Sequence, residues 1–259
     1  MKKIAVIGAG NMGGAIAESL RGSGYALTVT AATDKTLRRV AETCPEAFCT
    51  TSNREAVADA DIVILCVKPY VAPGVISEIL PVIKPGAVVA SVVAALPVDE
   101  VARLFKASDT GVKAFRVIPN TAIRLGKSVT FISAAQGVGD EALAEVTGIF
   151  SRSGKAFVIP EKDMGAACSL SSCGIAFFMR FIRAAVEGAV ELGLRPAFAT
   201  EVAAYTAEGA GALLEAGGHP EAEIDKVTTP GGLTIKGLNE MESRGFTGAV
   251  IAALKASMK

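Results

Sequence analysis

Histidine and tryptophan are all but missing from these 259 residues: there is one His and no Trp. A histidine-based metal cluster is therefore excluded, and His219, beside Pro220, reads as a loop residue. Cysteine is scarce as well. The five present (Cys44, Cys49, Cys66, Cys168, Cys173) are odd in number and hold no Cys-x-x-Cys pair, which fits reduced thiols in a cytoplasm better than a disulfide frame or a zinc site. Net charge is absent too, since 26 Lys and Arg stand against 26 Asp and Glu. That balance argues against a nucleic-acid binder, which carries a basic footprint. No apolar run reaches membrane length: the longest, 86–98, contains Ser91 and Pro97 and falls short of the roughly 20 residues a spanning helix needs. An export signal is missing from the start, where Met1-Lys2-Lys3 leads into a short apolar run ending at Gly8. These absences predict a cytoplasmic chain with no metal, nucleic-acid or membrane partner.

What is present is apolar: 51% of residues are hydrophobic, 20% charged, and the mean hydropathy is +0.44. Disorder is excluded, and the length suits one large or two modest domains at roughly 100–200 residues each. Short Val/Ile-rich runs at 3–7, 27–31, 61–67, 87–92, 113–118, 128–132 and 156–159 alternate with helical segments at 12–21, 36–43, 71–80, 98–105 and 140–150. Continuous apolar strands separated by crossover-length helices predict a doubly wound parallel sheet, Rossmann-like, over residues 1–160. After Pro160 the texture changes. Segments 163–194 and 197–216 are Ala-rich and free of alternation, with Pro196 as a first-turn residue. Residues 161–259 thus form an all-α domain, whose small residues (Gly165, Gly174, Gly188, Gly209, Gly211) and wide apolar girth predict a dimerisation surface.

The first strand runs into Gly8-Ala9-Gly10-Asn11-Met12-Gly13. This is G-x-G-x-x-G between strand and helix: Gly8 for the tight turn, Gly10 for close approach of a pyrophosphate, Gly13 for helix–strand packing. A dinucleotide is expected there, its pyrophosphate on the unpaired N–H groups of the helix start. Asp34 lies where an acid would bond the ribose 2′-OH of NAD, while Thr33, Lys35, Arg38 and Arg39 surround the same spot and suit the 2′-phosphate of NADP. Asp34 also has the character of a helix cap. Both cofactors stay open.

Four segments together carry a resemblance: residues 7–13; Val67-Lys68-Pro69; Arg116-Val117-Ile118-Pro119-Asn120-Thr121; and Val227-Thr228-Thr229-Pro230-Gly231-Gly232-Leu233-Thr234-Ile235. In this order, and over nearly the whole chain, the sequence resembles the pyrroline-5-carboxylate reductase family, the last enzymes of proline synthesis. The resemblance implies reduction of a cyclic imino acid by NAD(P)H, and a homodimer or a ring of dimers built through the C-terminal helices. It implies that Val67, Lys68, Pro69, Pro119 and Asn120 line the nicotinamide side of the cofactor site. It implies further that Thr234 hydrogen-bonds the ring nitrogen of substrate or product. Pro-Gly-Gly-x-Thr opening a helix has a reading of its own, a row of N–H groups from Gly231, Gly232, Leu233 and Thr234 that suits a carboxylate. The sequence departs from the family where a Ser-Gly-Ser-Gly-Pro-Ala-Tyr-like segment is usual: it has Ser171-Ser172-Cys173-Gly174-Ile175-Ala176-Phe177, with Cys168 in place of a Thr. Ala122 stands where the family prefers Pro. Ser172 and Cys173 are accordingly expected at the substrate pocket.

The reacting group can also be read from a lack. Reducing a ketone leaves an alkoxide that needs a positioned proton donor, yet no Lys lies between Lys162 and Lys226, no Asn between Asn120 and Asn239, and the second half's only His and Tyr are His219 and Tyr205. A protonated imine is neutralised by the hydride itself. Orientation then suffices. Two alternatives remain beside the proline enzyme: a reductase of another cyclic imine, which a substrate panel separates, and a non-catalytic dinucleotide-binding protein, which would bind NAD(P)H without oxidising it.

Overall fold

A computed structural model describes residues 1–106 and 110–258. The first compact unit, Met1–Ser172, is built on an eight-stranded sheet. Its strands are β1 (Lys3–Ile7), β2 (Ala26–Thr30), β3 (Phe48–Thr50), β4 (Ile62–Leu65), β5 (Val88–Ser91), β6 (Lys113–Ile118), β7 (Ser128–Ala134) and β8 (Gly154–Val158), in the order β3-β2-β1-β4-β5-β6-β7-β8. The helices are α1 (Asn11–Ser19), α2 (Asp34–Thr43), α3 (Asn53–Val57), α4 (Ala72–Ile79), α5 (Val98–Lys106) and α6 (Asp140–Ser151).

The sheet sorts side chains by parity. Ile4 and Val6 of β1 join one core cluster with Ile16 of α1, Val40 of α2 and Ile149 of α6, while Ala5 and Ile7 join another with Val57 of α3, Ile76 of α4 and Val101 of α5. Strands buried on both faces read as unbroken apolar runs, which is why the periodicity of 3–7 and 61–67 shows no polar side. Each fully buried Ile or Leu contributes about 1.5–3 kcal/mol of transfer free energy, so this sheet is the rigid platform of the unit.

Two features differ from the sequence expectation. β3 was absent from it: three residues at the sheet edge, Phe48–Thr50, pair with Thr28–Thr30 but carry no apolar run to announce them. Secondly, the sheet is not wholly parallel. β6 pairs antiparallel with β7, and β8 runs parallel to β7, so these last two strands oppose the first six. Residues 119–127 between β6 and β7 hold one 3₁₀ turn, Thr121–Leu125; a parallel return would need a crossover of a dozen or more residues.

Where β8 begins, Gly154 has φ +136°, and a Cβ there would lie 2.1 Å from the Ser128 carbonyl oxygen and 2.5 Å from its nitrogen. Backbone cannot yield as a side chain can. Gly154→Ala is expected to cost about 2–4 kcal/mol through strain and overpacking, measurable as a shift of the urea midpoint; an unchanged midpoint would contradict the close approach.

A helical stretch then begins with a 3₁₀ turn at Glu161–Asp163, followed by α7 (Met164–Cys168), a π-helical turn at Ser169–Cys173, and α8 (Gly174–Glu191) without an intervening loop. Residues Glu161–Glu191 are long and apolar enough to cross a membrane by length and composition, with a mean hydropathy of 1.4 over an 18-residue window. This overturns the expectation that 86–98 is the longest such run. The apolar content of a helix, unlike an unbroken run, tolerates interruptions such as Arg180 and Arg183.

The second unit, Cys173–Lys259, contains α8, α9 (Pro196–Glu215), α10 (Pro220–Lys226), α11 (Leu233–Ser243) and α12 (Phe246–Ala256). Pro196 is the first residue of α9, where its missing N–H costs nothing. The helices α8 and α9 pack along each other, and the Phe181 and Phe246 rings meet at 6.1 Å. Yet Phe178, Met179, Phe198, Tyr205 and Leu213 are all more than half exposed in the single chain. Apolar exposure on that scale marks a surface that a partner covers.

Candidate active site

The glycine motif lies between β1 and α1 at the carboxyl end of the sheet. Gly8 turns the chain with φ +95°, and its N–H donates to both the carbonyl and the hydroxyl of Thr30, each at 3.2 Å. Ala9 N–H donates to the same carbonyl at 2.7 Å. Gly13 is where the helix touches the strand: a Cβ there would sit 2.2 Å from the Gly8 carbonyl oxygen and 2.9 Å from Cys66 Cβ. Gly10 is the opposite case. Nothing lies within 4 Å of a Cβ built on it, and it caps α1 with no side-chain hydrogen bond. Open space faces an uncapped helix start, whose N–H groups at Asn11, Met12 and Gly13 and positive dipole end suit a pyrophosphate. The cradle therefore fits the dinucleotide that its motif implies. Cys66 lies beneath the turn, and burial pushes its thiol up to about 12, so it is no nucleophile at neutral pH.

A hydrogen-bond chain supports this turn. The Thr30 hydroxyl, which accepts from Gly8, donates to Asn53 Oδ1 at 2.8 Å, and Asn53 Nδ2 donates to Glu78 Oε2 at 3.0 Å. Thr30 is buried at 1% exposure, so removing its hydroxyl leaves Asn53 Oδ1 without its donor and Gly8 N–H with the Thr30 carbonyl alone. Thr30→Val is expected to weaken dinucleotide binding several-fold and to cost about 1–3 kcal/mol of stability. Equilibrium titration of reduced dinucleotide fluorescence, beside an unfolding curve, checks both; a variant that binds as tightly as the parent would remove the chain from the site.

At the end of β2 the structure decides a question that the sequence left open. Thr33, not Asp34, caps α2, its hydroxyl accepting from Thr36 N–H at 3.4 Å. Asp34 is the exposed first residue of the helix beside Lys35, with its carboxylate left for a ligand. Arg39 Nη2 donates to the Ala9 carbonyl at 2.9 Å, so this guanidinium also braces the glycine loop, and Lys35, Arg38 and Arg39 are all exposed there.

The other strand ends hold the remaining cofactor residues. Val67 packs on the Gly8 turn, 2.9 Å from a Cβ built there. The Lys68 carbonyl accepts Val71 N–H at 2.9 Å and starts the approach to α4, while Lys68 and Pro69 are exposed. Asn120, at 6% exposure, accepts Ala122 N–H on Oδ1 at 3.1 Å and so caps the 3₁₀ turn. Proline, the family's usual residue at 122, could not donate that bond. Ser172 lies in the π-helical turn, and its hydroxyl donates to the Pro119 carbonyl at 3.4 Å. Two site residues expected separately, Ser172 and Pro119, are thus brought together, and π turns of this kind recur at functional sites. Beside it, Ser171 Oγ is buried without a partner.

In the second unit the Pro230-Gly231 turn delivers the chain to α11, capped by Gly232 with no side-chain hydrogen bond. One donor of the expected carboxylate row is already used. Gly232 N–H donates to the Thr229 carbonyl at 2.9 Å, closing the turn and leaving Gly231 before it and Leu233 and Thr234 after it. Thr234 is exposed in the first turn of α11. Cys173 is the half-buried first residue of this unit, at the end of the π turn.

The sequence reading gave no role to a part-buried ion pair at the carboxyl edge. Arg116 Nη1 meets Glu161 Oε1 at 2.6 Å, with side-chain exposures of 14% and 26%. In the sequence, Arg116 stands only as the first residue of the 116–121 motif. A separation of 45 positions along the chain leaves no local signal of their meeting.

The chain is similar to known proteins. A family model described as pyrroline-5-carboxylate reductase dimerisation matches residues 161–259, and one described as NADP oxidoreductase, coenzyme F420-dependent, matches residues 3–95. The chain is 37% identical over 268 residues to pyrroline-5-carboxylate reductase 1 of Dictyostelium discoideum; the match covers 98% of this chain but 48% of that protein, so the chain spans about half of that relative's length. Pyrroline-5-carboxylate reductase 2 of the same organism is 36% identical, with 99% of this chain and 91% of that protein covered. Among solved structures, the Plasmodium falciparum pyrroline carboxylate reductase with NADP bound superposes with a TM-score of 0.88 at 25% identity, covering 100% of this chain and 97% of that one.

Proposed function

The chain belongs to the pyrroline-5-carboxylate reductase family, and from that premise we propose that it reduces 1-pyrroline-5-carboxylate to L-proline with a hydride from NADPH or NADH. The observation that carries this reading is likeness over nearly the whole length of a relative so named, 36% identical with 99% and 91% of the two chains covered.

When bound, the reduced nicotinamide supplies the hydride. The chain supplies everything that aims it. Gly8, Gly10, Asn11, Met12 and Gly13 hold the pyrophosphate on the uncapped start of α1. Thr33, Asp34 and Lys35 take the adenosine ribose, with Lys35 and Arg38 suited to a 2′-phosphate. Val67, Lys68, Pro69, Pro119 and Asn120 form the strand ends on the nicotinamide side. The substrate carboxylate is held by N–H groups at Gly231, Leu233 and Thr234, and the Thr234 hydroxyl orients the ring nitrogen. Ser172 and Cys173, in the π-helical turn, are the further residues assigned to the substrate. An iminium carbon that accepts a hydride becomes a neutral secondary amine, so no side chain has to deliver a proton at the reacting atom. The work of the protein is orientation and exclusion of water.

The apolar faces of α8, α9, α11 and α12 are covered by a second copy of the chain, as a homodimer from which a ring of dimers can be built. Five free thiols suit the reducing cytoplasm in which we place it.

A panel of cyclic imines with and without a carboxylate, each run with NADPH and with NADH, tests the reading. Turnover confined to pyrroline-5-carboxylate supports it, and the ratio between the cofactors reports the balance of Asp34 against Lys35 and Arg38. Faster turnover of an imine lacking the carboxylate would contradict the role given to the 230–234 turn.

A further inference from the structure

β5 sits between β4 and β6 in the sheet, so the loop at 92–97, which leaves its carboxyl end, emerges between the two strand ends that carry Lys68-Pro69 and Pro119-Asn120. An ion pair grips it in its middle and at its exit, while at its entry Val92 N–H donates to the Leu65 carbonyl at 2.9 Å. Arg116, on β6 opposite Ser91, sends Nη2 to the Ala94 carbonyl and Nη1 to Glu161 Oε1. Glu161 returns to the far end of the loop, accepting the N–H of Val98, the first residue of α5, on the same Oε1 at 3.3 Å. The carboxylate thereby meets the positive end of α5, and the two side chains grip the loop in its middle and at its exit.

This pair is poorly arranged for stability alone. Arg116 Nε and Glu161 Oε2 are both buried and, among the described residues, both without a partner, although guanidinium and carboxylate are shaped to meet side by side through two bonds. Orphaned charged groups inside a protein are costly, and a well-packed apolar pair is often as stable. What the arrangement does supply is a fixed backbone from Val93 to Val98. We propose that Arg116 and Glu161 are positioning residues for the hydride transfer: they fix the 92–97 loop at the carboxyl edge, between the strand ends that seat the reacting half of the dinucleotide. The proposal rests on the imine-reductase reading for its reaction, and on geometry alone for its anchor.

The test uses the full-length chain as Glu161→Ala, Glu161→Gln and Arg116→Lys, with amide hydrogen exchange and steady-state kinetics on each. Glu161→Ala removes the acceptor of Val98 N–H and the partner that holds Arg116 on the Ala94 carbonyl. It is expected to raise exchange at Val93–Val98 by about tenfold or more while β1 and β4 exchange as in the parent. Its kcat with pyrroline-5-carboxylate is expected to fall about tenfold, with KM and the dinucleotide Kd within about threefold. Glu161→Gln keeps an oxygen acceptor in the same place and is expected to recover most of both. Arg116→Lys cannot reach Glu161 and Ala94 together and is expected to behave like Glu161→Ala, which keeps the test decisive should that variant fold poorly. Parent-like exchange at the loop in both disruptive variants would overturn the anchor. Faster exchange spread over β1 and β4 would make the pair structural only, and a loosened loop with unchanged kcat would overturn the positioning role. A parent enzyme inactive on every imine would instead overturn the functional reading, leaving loop exchange to decide the anchor.

Discussion

Gly13→Ala is expected to abolish measurable dinucleotide binding, and Gly10→Ala to weaken it strongly while leaving the fold intact. At Gly13 the added Cβ would meet the Gly8 carbonyl oxygen at 2.2 Å. Neither side can retreat, because Gly8 is tied to Thr30 through its N–H and Ala9 is tied to the same carbonyl. Helix α1 must then lift from the strand. A displacement near 1 Å can cost about a hundredfold where N–H groups are aimed at a ligand, and overpacking adds about 1–3 kcal/mol of instability. Gly10 supplies the control. Its backbone is extended and its Cβ position is empty, so stability should change by no more than about 0.5 kcal/mol while the methyl fills the approach to the helix start. Fluorescence titration with reduced dinucleotide, run with thermal unfolding, separates the two effects. Parent-like affinity in Gly10→Ala would mean that the pyrophosphate does not lie there.

The second large effect is expected at Thr234. Its side chain is exposed, makes no hydrogen bond among the described residues, and stands in the first turn of a helix with no capping side chain. A hydroxyl with no task in the fold is free to serve a ligand. Thr234→Ala is expected to lower kcat/KM for the imine by about 10–100-fold, the value of one hydrogen bond to a charged group. Dinucleotide affinity and the unfolding midpoint should stay as in the parent. Thr234→Ser, which retains the hydroxyl, should recover most of the rate, and a Thr234→Ala variant of unchanged kcat/KM would remove this residue from the reaction.

The doubly wound architecture was legible because its signal is local: strands such as β1 and β4 are apolar on both faces, and the glycine motif falls between a strand and a helix. The reversal of β7 was also within reach, since residues 119–127 are too few for a parallel crossover. It was hidden by the composition of 128–132, which reads the same in either direction. Other features lay beyond local reading. The cap of α2 passed from Asp34 to Thr33 because either residue type suits the position, and only backbone geometry distinguishes them. The brace from Arg39 Nη2 to the Ala9 carbonyl joins residues 30 positions apart and has no local signal. Gly232 counted as an anion donor until its N–H closed the turn on Thr229. The Arg116–Glu161 pair joins positions that no pattern connects. Ala122 shows the reverse case, a substitution visible in the sequence whose consequence, the N–H that binds Asn120 Oδ1, required the fold.

The measurement that tests the account most directly is a single reaction of the purified chain with pyrroline-5-carboxylate and reduced cofactor, in which cofactor oxidation and L-proline are quantified together. The account predicts one proline formed for each dinucleotide oxidised, with saturation in both substrates. Tight dinucleotide binding with neither proline nor cofactor oxidation would contradict it.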